Sequence, residues 1–437
     1  AAAQICSDYF AAHPDQMDGV KRATFAYHLN HREPGAHYFA GAWREAACRW
    51  CGQTREGVRH DWYGAPPRCA ARPASTSTTI WRRERTAQQR EIERDFWLDV
   101  RPVVAILPRP VSPPRQVTAR SRNVATGAQG MSDAREVVAG VAAALGCAPT
   151  DVLIASTGVI GRAYPMDRIR AGLAAVPNVL PGTDAQAVAE GIMTTDTVSK
   201  TAEATVAGSD ARVVGVAKGV GMIEPNMATM IAMVFTDAQV ESAELDRMFR
   251  SVVNRSFNCV SVDSDTSTSD TAVVLASGAA GPVDAALLEA ALLEVCISLT
   301  KQIARDGEGA EKLIEVVVDQ SASPEQAQRV AKAIVNSPLV KTAVHGADPN
   351  WGRVAMAIGK STTADEVNQE HVVIRFGEQV VFPAQLNTDD LERLAQYMRG
   401  TDVRIHASLA TGGESTATVW GCDLTDGYIR INADYTT

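Results

Sequence analysis

Apolar residues recur along this chain at two spacings, and each spacing predicts an element. In "SAELDRMFRSVVNRSF" (242–257) Leu245, Met248, Phe249, Val252 and Val253 fall on one stripe, the signature of an amphipathic helix. "VDAALLEAALLEVCISLTKQIARDG" (283–307) predicts a longer, more apolar helix stopped by Gly307. Ser132 reads as the N-cap of an alanine-rich helix that runs to Leu145 and ends at Gly146. A further helix is predicted near residues 183–193. "DVLIAS" (151–156) is a short β-rich run that stops at Thr157 and Gly158. "EATVAGSDARVVGVAKG" (203–219) alternates around a Gly-Ser-Asp turn and predicts a hairpin. "KLIEVVVDQ" (312–320), "HVVIRFGEQVVF" (371–382) and "GYIRINADY" (427–435) read as strands. Helices and strands interleave without a regular βαβ repeat, so the predicted fold class is α/β, a layered sandwich rather than a doubly wound sheet.

One stretch breaks both patterns. In "AKGVGMIEPNMATMIAMVFTDA" (217–238) the second half is a buried apolar run. The first half carries Gly219 and Gly221, Pro225 followed by Asn226, and then Ala228 before Thr229. A threonine hydroxyl is a weak nucleophile until a base stands beside it, and a free α-amine on the same residue supplies one. That amine titrates near ~8, far below lysine, so much of it is neutral at cellular pH. To expose it the chain must cut itself between Ala228 and Thr229. The glycines and Pro225 would let the loop take the bent geometry that such a cut needs. A plain core helix starting at Thr229 fits the same residues.

At 437 residues the chain exceeds the roughly 250–300 at which one hydrophobic core stops growing, which predicts more than one domain. A net charge of −9 speaks against a nucleic-acid binder. The opening residues lack the basic start and apolar run of a signal peptide, and no membrane span is long enough. A cytoplasmic setting follows, with the eight cysteines as free thiols. Residues 1–122 differ from the rest. They hold nineteen Lys and Arg, of which only Lys21 is lysine, against twelve Asp and Glu, and five of the seven tryptophans. Within them His28, His31, Cys48 and Cys51 offer zinc-ligand types, but chance accounts for them better in so odd a composition, and no metal is expected. "DSDTSTSD" (263–270) has partial calcium-loop spacing, yet Thr268 replaces the turn glycine and Val274 the closing glutamate. It reads as a Ser/Thr/Asp cluster that satisfies backbone groups.

"KGVGMIEPNMATM" resembles the self-cleavage site of the ornithine acetyltransferase (glutamate N-acetyltransferase) family. "ASTGVIGRAYPMDRI", "GIMTTDT", "FNCVSVDSDTSTSDTA", "ARDGEGAEKLIEV", "NSPLVKTAVHGADPNWGRVAMAIGK" and "CDLTDGYIRINADYTT" are also similar to it, in the family's order. The resemblance covers roughly residues 123–437, about seven tenths of the chain. It implies the layered α/β fold shared with certain D-aminopeptidases, with a second, smaller α/β domain. It implies an α part (123–228) and a β part (229–437), two of each assembling together. It also implies Thr229 as the nucleophile, Thr157 and Gly158 as the oxyanion pair, and Thr194, Lys218, Thr229, Glu308, Asn432 and Thr437 as substrate-binding positions. The implied reaction is ping-pong transfer of acetyl from N-acetylornithine to glutamate, in arginine biosynthesis, without any cofactor. An aminopeptidase on the same fold, or an uncut inactive chain, are the alternatives. His345, Asp348, Asn350 and Arg353 form a polar loop whose expected role is packing. The family's usual first segment is missing: only "NVATGAQG" (123–130) resembles its end. Residues 1–122 have the character of a gene read in the wrong frame, of a fused domain, or of a divergent N-terminus.

Overall fold

The computed structural model describes residues 124–176, 185–224, 230–267 and 269–434, with the backbone of four short strands before them. The chain divides into two compact units, 1–98 and 99–437. In the first, β1 (Val58–Arg59) pairs antiparallel with β2 (Ala70–Ala71). The zinc-type residues His28, His31, Cys48 and Cys51 lie outside the described residues, as do Ala228, Thr229 and Thr437.

The second unit opens with a three-stranded sheet. Strand β3 (Val103–Ala105) is antiparallel to β4 (Arg115–Ala119), which is parallel to β5 (Val152–Ser156). Helix α1 (Gly127–Leu145) and helix α2 (Met166–Ala174) form a small core with this layer through Val137, Val141, Val152, Tyr164 and Ile169. Gly146 ends α1 as expected, at φ +64 with its N–H on the Ala142 and Ala143 carbonyls. The helix starts at Gly127, not beside Ser132, because Gln129 Nε2 donates to Asp133 Oδ1 at 2.7 Å and ties an extra turn on.

Helix α3 (Ala185–Ile192) precedes a four-stranded sheet. Its first three strands are β6 (Lys200–Thr205), β7 (Arg212–Lys218) and β8 (Ile231–Gln239). β6 and β7 are the expected hairpin, and β7 pairs antiparallel with β8 from Val213↔Thr236 to Lys218↔Ile231. The apolar run after Thr229 is therefore a strand, not the core helix of the plain reading, because it completes the ladder with β7. The expected cut between Ala228 and Thr229 falls between two neighbouring strands, so the ladder would hold both pieces together after cleavage.

Helix α4 (Ser242–Arg255) and the short β9 (Val260–Ser261) lead to β10 (Thr271–Pro282), parallel to β8. Helix α5 (Ala285–Arg305) covers one face of this sheet. The close approach depends on Gly215, where a β-carbon would lie 2.7 Å from Val295 Cγ1 and 2.8 Å from Leu299 Cδ1. On the other face Ala189 and Ile192 of α3 meet Val216 and Met233.

The second large sheet joins β9 to β11 (Leu313–Ser321), β12 (Val373–Phe376), β13 (Gln379–Phe382), β14 (Asp402–Ser408) and β15 (Ser415–Cys422). It is mixed, ordered β13-β12-β14-β11-β15-β9. "HVVIRFGEQVVF" thus forms two strands, turned at Gly377 with φ +56. Helix α6 (Pro324–Val335) buries Ala327, Val330, Ala331 and Ile334 in the same core as Ile314, Val316 and Val318 of β11. Helices α7 (Pro338–His345), α8 (Trp351–Ser361) and α9 (Thr388–Met398) follow. The fold is mixed α/β with two large mixed sheets, as the interleaving predicts.

One strand expectation is wrong. "GYIRINADY" is helix α10 (Asp426–Asp434). Thr425 Oγ1 accepts the Gly427 N–H at 3.0 Å and caps the helix start, and the Ile429–Ile431 alternation buries nothing, with both residues exposed. No described helix is long and apolar enough to cross a membrane, and the described cysteines are free thiols.

Replacing Gly215 by valine forces a branched side chain against α5. Overpacking of this kind costs about 1–3 kcal/mol, so Gly215→Val is expected to melt several degrees below the parent. An unchanged melting temperature would contradict the packing described here.

Candidate active site

The site is assembled around a buried lysine. Lys200, the first residue of β6, is fully buried, and its Nζ lies 2.8 Å from Asp196 Oδ1 and 2.6 Å from Asp306 Oδ2. A buried charge is tolerable only when paired and hydrogen-bonded, and both conditions hold. Asp306 is the residue that ends α5, and its Oδ2 also accepts the Thr197 N–H at 3.1 Å. Asp196 accepts the N–H groups of Gly219 (2.7 Å) and Thr194 (3.1 Å), and lies 3.7 Å from the Lys218 ammonium. Burial opposes ionisation of Asp196, but the charges of Lys218 and Lys200 outweigh it and hold the carboxyl at about 2. Its stabilising contribution is therefore present above the ordinary carboxylate value and lost only as pH falls through about 2. The network ties together residues 194–200, the end of β7, and the end of α5.

Glu308 stands two residues beyond Asp306. Its N–H donates to the Val220 carbonyl at 2.8 Å. Its carboxylate lies against Gly221, where a β-carbon would come 2.5 Å from Glu308 Oε2. Only glycine leaves room for that carboxylate. The strained backbone of this loop sits elsewhere: Met222, not Gly221, has φ +55, while Gly219 has φ +150. Asn432 Nδ2 donates to Glu308 Oε2 at 2.9 Å, and Thr195 Oγ1 donates to Oε1 at 3.4 Å. Burial raises the Glu308 pKa, and the nearby Asp263 charge adds to the rise, against the lowering effect of Asn432, Thr195 and Lys218.

Helix α10 is pinned beside Glu308 by backbone contact. Gly309, at φ +71, has no room for a β-carbon, which would meet Tyr428 N at 2.3 Å. Thr425 Oγ1 donates to the Gly309 carbonyl at 2.6 Å. Tyr428 then donates to Asp263 Oδ2 at 3.4 Å, and burial with the Asp263 and Glu308 charges pushes its phenol up.

Thr194, Lys218, Glu308 and Asn432, predicted from the sequence, thus meet in one cluster. Thr157 is buried and Gly158 half-buried at the end of β5, in the smaller layer. Among the described residues no hydrogen bond joins that pair to the cluster. Asp196, Lys200, Asp306, Asp263 and Thr195 complete the site and were not singled out for it. Only "GIMTTDT" and "ARDGEGAEK" pointed at their neighbourhood, and no spacing rule pairs Lys200 with a residue 106 positions away.

The remaining polar groups are structural. Asn350 caps α8 through the Arg353 N–H, and Arg353 Nη1 donates to the Leu339 carbonyl at 2.7 Å. His345 Nδ1 lies 3.0 Å from Asp423 Oδ2, and Asp423 Oδ1 accepts the Glu311 and Lys312 N–H groups, both at 2.9 Å. Glu311, His345 and Asp423 have metal-ligand types, but the Asp423 oxygens are already engaged by the protein.

Comparison with known proteins finds relatives over most of the chain. The profile of the ArgJ family matches residues 116–437. An arginine biosynthesis bifunctional protein ArgJ 2 of Nostoc sp. is 55% identical over 321 residues, covering 74% of this chain and 82% of that protein. A glutamate N-acetyltransferase Oat2 of Streptomyces clavuligerus is 52% identical over 326 residues, again 74% and 82% of the two chains. A crystal structure of arginine biosynthesis bifunctional protein argJ from Bacillus halodurans is 44% identical, covering 46% of this chain and 98% of that one at a TM-score of 0.44.

The raised Glu308 pKa carries a sign that can be measured. Stability linked to this group is greatest below its ordinary value of 4.5 and falls as pH rises through the higher folded value. Glu308→Gln keeps an oxygen for Asn432 and removes the buried charge. It is expected to melt at or above the parent at pH 7, with the difference shrinking below pH 4.5. A variant clearly less stable than the parent at pH 7 would show that the ionised carboxylate is not a cost there.

Proposed function

Because the chain belongs to the ArgJ family, we propose that it is a glutamate N-acetyltransferase that moves the acetyl group of N-acetylornithine to glutamate. The observation that carries this reading is the meeting of Thr194, Lys218, Glu308 and Asn432 from four distant segments, next to the strand that begins just after Thr229.

The chain first cuts itself. Thr229 Oγ attacks the Ala228 carbonyl, the Ala228–Thr229 amide bond breaks as an ester forms, and the Thr229 amine is freed. Water hydrolyses the ester, leaving a carboxylate on Ala228 and a free hydroxyl on Thr229. In transfer, Thr229 Oγ attacks the acetyl carbonyl of N-acetylornithine, and the new α-amine takes the hydroxyl proton and passes it to the departing amine. Thr157 Oγ1 and the Gly158 N–H hold the oxyanion, each such donor being worth about 10²–10³ in turnover. Glutamate then attacks the acetyl ester and leaves as N-acetylglutamate. No cofactor takes part.

Lys218 pairs with the substrate α-carboxylate, Thr194, Asn432 and Thr437 supply polar contacts, and Glu308 faces the substrate side chain. Ornithine brings an ammonium there and glutamate a carboxylate. The Glu308 carboxylate suits the first of these, with Asn432 Nδ2 holding it at 2.9 Å. The proposed division is an atypical segment 1–122, an α part 123–228 and a β part 229–437, two of each forming the cytoplasmic enzyme of the layered ornithine acetyltransferase type.

Ornithine release from N-acetylornithine, followed with and without glutamate, tests the transfer. Sustained release is expected only with glutamate, and none from Thr229→Ala. Release at equal rate without glutamate would make the protein a hydrolase, and transfer by Thr229→Ala would remove Thr229 as nucleophile.

A further inference from the structure

The segment that follows β9 grips both ends of the stretch between β7 and β8. At the upstream end Asp263 Oδ2 accepts the Met222 N–H at 2.7 Å and Asp263 Oδ1 the Ile223 N–H at 2.8 Å. The Glu224 N–H donates to the Asp265 carbonyl at 3.2 Å, and Thr266 Oγ1 donates to the Glu224 carbonyl at 3.3 Å. At the downstream end Asp270 Oδ1 accepts the Met230 N–H at 2.6 Å, and the Thr271 N–H donates to the Met230 carbonyl at 2.8 Å. One short run of sequence, "DSDTSTSD", therefore fastens Met222 to Glu224 on one side and Met230 on the other.

The downstream grip has a particular consequence. The Met230 N–H belongs to the peptide plane that also contains the α-carbon of residue 229, and that plane is rigid. Whatever holds the N–H limits where the residue 229 side chain can go. Met230 is 2% exposed, so water cannot replace the bond if its acceptor is lost. A carboxylate accepting a backbone N–H makes a short, strong bond, and here it is anchored at the start of β10 beside β8.

We propose that the 263–271 segment is an internal splint on which the chain cuts itself, and that Asp270 positions Thr229 through the Met230 amide. The inference rests on the proposed role of Thr229 and adds a residue to it. Asp270 is a positioning residue: it acts on the nucleophile through the backbone and takes no part in bond making. Because its grip survives the cut, it aligns Thr229 Oγ both for cleavage and for acetyl transfer.

The test compares the full chain with Asp270→Ala and Asp270→Asn, following fragment appearance over time and steady-state transfer. A misplaced nucleophile loses about 10² in rate, so Asp270→Ala is expected to cut about 10²-fold more slowly. Its cut fraction should show a similarly lowered kcat with the KM for N-acetylornithine little changed. Asp270→Asn keeps an acceptor oxygen and should recover part of both rates, and it carries the test if the alanine variant does not fold. Parental rates in both variants would overturn the role of Asp270 while leaving Thr229 standing. A parent chain that never breaks between Ala228 and Thr229 would overturn both.

Discussion

The arrangement depends on one buried ammonium. Lys200 lies between Asp196 and Asp306 with no exposure to water, and those two carboxylates belong to different arms of the fold. Asp196 carries the Gly219 N–H and faces Lys218, while Asp306 ends the helix whose next turn of chain delivers Glu308. Remove the ammonium and Asp306 loses its buried cation while Asp196 keeps only Lys218 at 3.7 Å, and breaking a buried pair in this way costs about 3–5 kcal/mol. The cluster that reads as a substrate site is thus also an electrostatic joint between α5 and the β6–β7 hairpin.

Around that joint, close backbone approach does the fine positioning. Gly221 leaves the space that the Glu308 carboxylate fills, and Gly309 leaves the space that α10 needs to bring Asn432 within 2.9 Å of it. The result is a carboxyl that burial makes reluctant to ionise, held by neutral donors and facing a lysine.

Much of this was legible before any coordinates, and the limits have physical causes. The stripe at Leu245, Met248, Phe249, Val252 and Val253 is buried as a helix face because a 3.6-residue period admits no other explanation. The Gly146 stop and the hairpin around residues 206–211 were equally plain, since their turn chemistry is local. Residues 427–435 misled because the Ile429–Ile431 alternation imitates a strand. What decides the helix is a cap from Thr425 and a glycine contact 118 positions upstream at Gly309, which no local pattern reveals. Of the site, Thr194, Lys218, Glu308 and Asn432 came from resemblance to a family. Asp196, Lys200 and Asp306 did not emerge, because ion pairs between distant segments leave no periodic trace. The cluster at 263–270 was expected to satisfy backbone groups, but that those groups belong to Met222, Ile223 and Met230 became visible only in three dimensions.

The fold holds both ends of the one short stretch in which the proposed cut lies. The most direct test is the intact mass of the purified, denatured 437-residue chain. Two species are expected, with masses that place the break between Ala228 and Thr229. A single uncut chain would contradict the proposed cut.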